Sequence, residues 1–285
     1  MKSRRLALAT GLDAHALEWD GPGDLTYVLV HGFTDLAYGW RRVAERLAVH
    51  AHVVAPDLRG HGDTAWIGPG GYYHFMDYVA DLDDVIRQLA RTNVILVGHS
   101  MGGSVSGYYA GTRPERLTAL ALIEGLGPPD MAGLDGPTRT AMWIDGWRAA
   151  RGKVKPMASI DDAVRRLRKH DERLDEALAR ELAEHGTRAV EGGLAWKHDP
   201  LHMTFGPYAY RLDSAIKYWQ RVTCPVLIVD GEQSKLNLPI SERAARRAHF
   251  ASHRHVIVPD AGHAVARHQP QVIADLLLEL LPRSG

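Results

Sequence analysis

The stretch VILVGHSMGGSVSGYYAG, from Val94 to Gly111, decides the fold. Its first five residues suit a buried strand and its last ten suit a helix. Ser100 stands in the bend between them, flanked by Gly98 and Gly102. This is the strand–turn–helix pattern G-x-S-x-G. So sharp a turn brings neighbouring backbone very close, and glycine tolerates that approach. The pattern predicts a strained Ser100 with its hydroxyl clear of the sheet. The following helix directs its N-terminal amides and positive dipole end towards that hydroxyl. A negative oxygen formed beside Ser100 is stabilised there. Apolar residues before the turn, and Gly103, Ser104 and Gly107 after it, set this serine apart from one that merely caps a helix.

Working outward, short apolar strands alternate with amphipathic helices, the signature of a mostly parallel sheet flanked by helices. Strands are expected in TYVLVHGF (Thr26–Phe33), AHVVAPDLRGHGDT, LTALALIEG (Leu117–Gly125), PVLIVDGE (Pro225–Glu232) and HVIVPDAGH (His255–His263). Helices are expected in YGWRRVAERLAVH (Tyr38–His50), in HFMDYVADLDDVIRQLA and in PQVIADLLLELL (Pro270–Leu281), where a proline opens the helix. The alternation stops between Pro128 and Tyr218, where charged helical sequence runs without a convincing strand. Ser159, ahead of Asp161 and Asp162, marks a helix start there. The expected organisation is a core of residues 1–127 and 219–285 with a helical lid over 128–218. Such an insertion sits over the strand ends, where α/β sheets bind ligands.

Composition excludes several classes. The 34 basic and 34 acidic side chains balance to a net charge of zero, which argues against a nucleic-acid binder and gives no attraction to a charged membrane. No apolar run approaches the ~20 residues of a membrane span. The apolar part of MKSRRLALATGLDAHALEWDG ends too soon for an export signal. The single cysteine, Cys224, precedes an apolar run and reads as a buried core thiol. A lone thiol suits a reducing compartment, so the expectation is a cytoplasmic protein without membrane insertion. No G-x-G-x-x-G follows a strand and no phosphate loop is present, so no cofactor is expected.

A serine hydroxyl needs a base. Of the 16 histidines, His263 stands out in PDAGH, behind a glycine just after the last expected strand. That position puts it at the same sheet edge as Ser100. His99 reads as a packed neighbour. His249, His253 and His255 lack the further spaced ligands of a metal site, so no metal is expected.

Together, VHGF (Val30–Phe33), DLRGHGDT (Asp57–Thr64), GHSMGG (Gly98–Gly103) and PDAGH (Pro259–His263) resemble the α/β-hydrolase superfamily over nearly the whole chain outside the insertion. The resemblance implies the α/β-hydrolase fold. It also implies that the backbone N–H groups of Phe33 and Met101 form an oxyanion hole. The family's usual acid falls at Ser234 in DGEQS, where this chain has no carboxylate. Glu124 is the first choice instead, because some branches take the acid from the preceding strand end, and because a charge closing the run LTALALIE needs a reason. Asp230 is the second choice, and Glu232 lies nearby. LIEGLGPP, MASIDDAVRRLRKH, WKHDP and VDGEQS further resemble the serine-hydrolase-like, kraken-type branch, which implies a carboxylic-ester activity.

The expected chemistry is cofactor-free hydrolysis of a small-molecule ester, or a related lactone or thioester, through an acyl-enzyme on Ser100 with His263 as base. Carbon–carbon bond hydrolysis and hydroxynitrile cleavage use similar triads, and a non-catalytic ligand-binding protein on this fold is the third reading. Dehalogenases and epoxide hydrolases need an aspartate nucleophile, which Ser100 is not. In the early lid, Met142, Trp143 and Trp147 point to an apolar or aromatic pocket, to which Trp196 is a further candidate. Asp57, Arg59 and His31 are read as loop braces, and Arg165–Lys169 as a solvated helix face.

Overall fold

The computed structural model describes residues 1–131, 133, 135–150, 153–235 and 238–281. Residues 132, 134, 151 and 152 of the expected insertion and 236, 237 and 282–285 of the expected core lie outside it. The chain opens with a hairpin that the sequence reading did not anticipate, Lys2–Ala7 (β1) paired antiparallel with Asp13–Trp19 (β2). In β1 only Leu6 is buried, so the strand carries almost none of the apolar alternation that betrays a strand. Then come Leu25–Val30 (β3) and His52–Pro56 (β4), both buried along their whole length. Asn93–His99 (β5), Ala119–Ile123 (β6), a small hairpin of Thr187–Val190 (β7) and Gly193–Trp196 (β8), Val226–Gly231 (β9) and His253–Val258 (β10) complete the strands.

Eight strands form one sheet in the order β1-β2-β4-β3-β5-β6-β9-β10. From β4 to β10 every pairing is parallel, and only β2, antiparallel to both β1 and β4, runs against the rest. Parallel strands need both faces covered, which is why their sequences are continuous apolar runs. On one face, Val43, Ala44 and Leu47 of Arg41–Leu47 (α1) share a core with inward residues of β3 to β6. On the other, Phe75–Leu89 (α2) buries Tyr78, Val79, Leu82, Val85 and Ile86, one helical stripe. Met101–Thr112 (α3) follows the bend and is buried over most of its length.

The stretch between β6 and β9 holds Gly136–Ala150 (α4), Ile160–His170 (α5), Glu176–Gly186 (α6) and the β7–β8 hairpin. Ser159 caps α5, its side chain accepting the Asp162 N–H. The hairpin corrects the expectation of a strandless insertion. Its strands are four residues each, and Gly192 and Gly193 make the turn. One helix also runs across the expected boundary at 218. Leu212–Trp219 (α7) is one helix packed on α3, with Ala215 and Trp219 inside the core cluster. Ile240–Arg247 (α8), Val265–His268 (α9) and Pro270–Leu278 (α10) close the fold. Ile273, Ala274 and Leu277 of α10 face the core shared with α1. Cys224 is buried, and burial pushes its thiol up to about 11. No helix among the described residues is long and apolar enough to cross a membrane.

The elbow depends on missing side chains. A Cβ on Gly103 would stand 2.5 Å from Gly125 Cα, backbone against backbone. Gly103→Ala should therefore lower stability by about 1–3 kcal/mol through overpacking. Gly136→Ala, where a Cβ meets nothing within 4 Å, is the matched control. Urea unfolding should show a lower midpoint for the first and no loss for the second.

Candidate active site

Parallel strands end their carboxyl termini on one edge, and that edge carries the backbone strain of the molecule. Four non-glycine residues of the described chain have positive φ: Thr34 (56°), Ser100 (52°), Glu124 (52°) and Asp260 (52°). They follow β3, β5, β6 and β10. L residues avoid this region, so each is imposed by its surroundings, and such outliers gather at functional sites. All four lie in loops that the sequence singled out.

Ser100 has ψ of −118°, outside any regular structure. Its N–H donates to Ile123 O at 3.0 Å, and its carbonyl accepts the Ser104 N–H at 3.1 Å. The elbow is pressed against the turn after β3. A Cβ on Gly32 would lie 3.2 Å from Ser100 Cβ, and one on Gly102 would lie 2.4 Å from His31 O. Phe33 and Met101, the expected oxyanion donors, belong to these two touching segments. Among the described residues neither N–H is taken by an acceptor of the chain.

His263 and Glu124 meet. His263 Nδ1 donates to Glu124 Oε2 at 3.0 Å, across 139 residues of sequence. The Glu124 side chain is 2% exposed and that of His263 27%. The carboxylate takes two further donors, the Gly231 N–H on Oε1 and the Ser234 hydroxyl on Oε2, each at 2.7 Å. The pairing with Glu124 leaves His263 Nε2 as the ring nitrogen not held by the carboxylate. Among the described residues no hydrogen bond joins it to Ser100 Oγ, a contact that in unliganded sites often tightens only with substrate. His99 ties the two loops together. Its Nε2 donates to His263 O at 2.9 Å, and the two rings lie 4.9 Å apart. Burial, helped by the neighbouring His263, pushes His99 down to about 4. It stays neutral at pH 7 and acts as a brace.

Asp230, the second choice for the acid, is elsewhere. Its Oδ2 pairs with Arg243 and His255, both at 2.9 Å, with Arg247 further off. It is the residue before Gly231, and alternate residues of a strand face opposite sides. Glu232 is exposed and only reaches the Asp260 N–H at 3.5 Å. Trp143 and Trp147 do come together, with ring centroids 5.1 Å apart and each 5.6 Å from Tyr72. Trp196 does not join them and packs against the core on the α1 side. Two side-chain triplets, His15/Asp57/Asp63 and Glu18/Asp20/His52, have metal-like spacing among the described residues. Both are taken up by internal pairs such as His15–Asp57 at 2.7 Å and His52–Glu18 at 2.9 Å.

The braces are as expected, with additions. His31 Nδ1 donates to Gly32 O at 2.7 Å and its Nε2 accepts the Leu58 N–H at 2.9 Å. Asp57 accepts from Ala37 N–H and His15; burial alone would raise it, but these partners hold it below the usual carboxylate range. Arg59 forks onto Asp81 with two 2.7 Å bonds. His61 was not singled out, although it lies in the quoted DLRGHGDT. Its Nε2 accepts the Thr34 N–H at 3.2 Å and so holds the strained residue next to Phe33. His202, from the insertion, stacks on His61 at 4.2 Å and on Tyr73 at 3.9 Å. No local pattern marks it, because its partners are 141 and 129 positions away by numbering. His268 is a second addition. Its Nδ1 accepts the Gly262 N–H at 3.0 Å, and its Nε2 donates to Asp171 at 2.8 Å.

Comparison with known proteins gives the fold family. A sequence profile described as alpha/beta hydrolase fold matches residues 28–266. The chain is 30% identical over 275 residues to the 3-hydroxybutyrate-oligomer hydrolase of Cupriavidus necator, covering 90% of this chain and 89% of that protein. It is 30% identical over 145 residues to the lipase LipV of Mycobacterium tuberculosis, covering 51% of this chain and 52% of that protein, so that match spans about half of either one. Its backbone is similar to a thioesterase domain from the curacin biosynthetic pathway, with a TM-score of 0.88 at 24% identity over 98% of this chain and 99% of the other.

The neutral imidazoles carry a pH consequence. Burial pushes His61 well below its ordinary value, with His202 and His31 adding to it, and burial takes His202 down to about 3. An unfolded chain takes up protons on these rings from about pH 6.5 downward, before the folded one does. Stability contributed by keeping them neutral is therefore full above about pH 6.5 and is lost as pH falls towards their folded values. Urea-unfolding midpoints should decline over that window, and His202→Phe should flatten the decline.

Proposed function

The chain belongs to the alpha/beta hydrolase fold family, and from that premise we propose that it is a serine hydrolase of carboxylic esters, with lactones and thioesters as related substrates. The observation that carries this reading is the Glu124–His263 hydrogen bond at the sheet edge where Ser100 stands in its strained turn. A base oriented by a buried carboxylate, at the sheet edge that carries a strained serine, is the arrangement that activates a hydroxyl.

The steps follow from the groups present. Glu124 fixes the ring so that Nδ1 carries a proton and Nε2 is free to accept one. Nε2 takes the Ser100 proton as Oγ attacks the carbonyl carbon. The Phe33 and Met101 N–H groups receive the oxygen that becomes negative; donors held in place for that charge are worth roughly 10²–10³ each in rate. The imidazolium gives its proton to the leaving alcohol, which departs. Water then attacks the acyl-enzyme by the same roles in reverse, and the acid is released. The two relatives described above are named as a 3-hydroxybutyrate-oligomer hydrolase and a lipase, which favours an ester over a carbon–carbon bond as the scissile group. In this reading the insertion is the lid, and Trp143 and Trp147, grouped with Tyr72, form the apolar wall over the acyl chain. Trp196 serves packing instead. The substrate is a small molecule and no cofactor takes part.

A panel of p-nitrophenyl esters from short to long acyl chains tests the reading. Wild type should hydrolyse part of the panel. Ser100→Ala and His263→Ala should each lose about 10³-fold or more in kcat while remaining folded, and Ser100→Ala should lose labelling by a fluorophosphonate. Equal activity in wild type and Ser100→Ala would exclude the acyl-enzyme. A wild type that binds esters without turnover would leave the binding-protein reading in its place.

A further inference from the structure

Helix α4 reverses the usual sorting of side chains. It exposes Met142 and Ile144, and its one buried residue is Arg139, 7% exposed. Arginine is seldom buried unless its charge is paired. Here Nη2 donates to Tyr208 O at 3.0 Å. Among the described residues Nε and Nη1 have no hydrogen-bond partner, and no carboxylate pairs with the guanidinium. A cation taken out of water without an anion is strongly unfavourable. Its remaining relief is the Phe205 ring, whose centroid lies 5.7 Å from Cζ. Phe205 is itself 45% exposed, so the charge lies one ring away from solvent.

Arg139, Trp143 and Trp147 follow one another at the spacing of a helical turn and share one face of α4. Gly146 brings that side of the helix against Thr204, whose Cβ is 3.3 Å from where a glycine Cβ would stand. Tyr72 meets both indoles and donates its hydroxyl to Thr204 Oγ1 at 2.5 Å. Burial pushes that hydroxyl up, and its bond to Thr204 and the Arg139 charge pull it back. The guanidinium therefore acts on the same aromatic group. Trp143 Nε1, one turn along from Arg139, is a second buried donor without a partner among the described residues. Trp147 packs against the core cluster that Met101 also joins. The face thus runs from the side of the elbow out to Arg139, about 12 Å along the helix axis.

We propose that Arg139 is a specificity-determining residue that takes a carboxylate at the far end of the acyl chain, so that the substrates are half-esters of dicarboxylic acids. The proposal rests on the serine-hydrolase reading of the site and names the substrate class for it. The apolar chain lies along Trp147 and Trp143, and the distal carboxylate supplies the counter-charge that the chain itself withholds. The Phe205 ring is the cover that this anion displaces. A guanidinium holds a carboxylate in a fixed geometry as well as by charge. A neutral acyl chain of the same length leaves the cation unpaired, which is how a site built around a polar group rejects an analogue that lacks its match.

Paired substrates test it: mono-p-nitrophenyl esters of dicarboxylic acids from adipate to sebacate, and the same compounds with the distal carboxylate capped as a methyl ester. The readout is the ratio of kcat/KM for each pair, with urea midpoints as the check on folding. Wild type should favour the free carboxylate by about tenfold or more at one or more lengths, the scale of a hydrogen bond to a charged group. Arg139→Met should bring that ratio to about one. A merely structural role would lower both members of the pair together and leave the ratio standing. Arg139→Lys keeps the charge and should retain part of the preference; it carries the test if the methionine variant does not fold. A wild type without preference at any length, or a folded variant of either kind with the full wild-type ratio, overturns the proposal. Calorimetry with monomethyl suberate against dimethyl suberate separates it from the reading beneath it. Binding of the anion that depends on Arg139, in a protein inert to every ester and to fluorophosphonate, overturns the serine-hydrolase reading alone. Hydrolysis that depends on Ser100 and ignores the distal carboxylate overturns this proposal alone.

Discussion

A carboxylate closed off from water must have its charge met by donors of the chain, and Glu124 obtains them from three places at once. The Gly231 amide, the Ser234 hydroxyl and the His263 ring converge on it. Gly231 ends β9 and the other two lie in the loops after β9 and β10, while Glu124 itself follows β6. One desolvated charge therefore ties three strand ends into a single unit. Its own backbone joins in, since the Glu124 N–H donates to Val229 O at 2.8 Å while φ sits at 52°. The strain of that conformation persists because so many bonds determine it.

The turn after β3 is secured from the other side by rings rather than charges. His61 holds the Thr34 amide, His202 stacks on His61, and Tyr73 packs beneath. Tyr73 also donates to Asp199 at 2.8 Å, and the Asp199 N–H donates to Gly60 O at the same distance. The insertion thus reaches back into the loop that supports this turn. His268 does the same for the opposite loop, linking Asp171 of the insertion to Gly262 beside His263. Both loops lean on the insertion.

Much of this was legible in the sequence, for identifiable reasons. The parallel strands are continuous apolar runs because both of their faces are covered, so each stood out. The elbow was legible because its geometry demands glycines at fixed offsets. Glu124 was legible because a charge at the end of a buried run must be compensated. What escaped lacks local cause. β1 is an edge strand with a single buried residue, and the β7–β8 hairpin is short and half-polar. α7 has the same amphipathic character as an insertion helix and is assigned to the core only by its contact with α3. His202 and His268 act through partners far away in the chain. Ser234 was visible as a departure from a familiar pattern, but its use as a donor depends on where β6 and β9 bring their ends.

The entry and exit of the insertion are fastened in different ways. At the entry, Arg246 is 1% exposed and donates to the carbonyls of Leu126, Gly127 and Pro128, at 2.7, 3.1 and 2.9 Å, while holding Glu242. At the exit, α7 lies in the core against the elbow helix. A segment riveted at both ends is mechanically a module. Its interior can lengthen, shorten or change its lining without altering the register of a single strand beneath. The sheet scaffold and the insertion are free to evolve at separate rates.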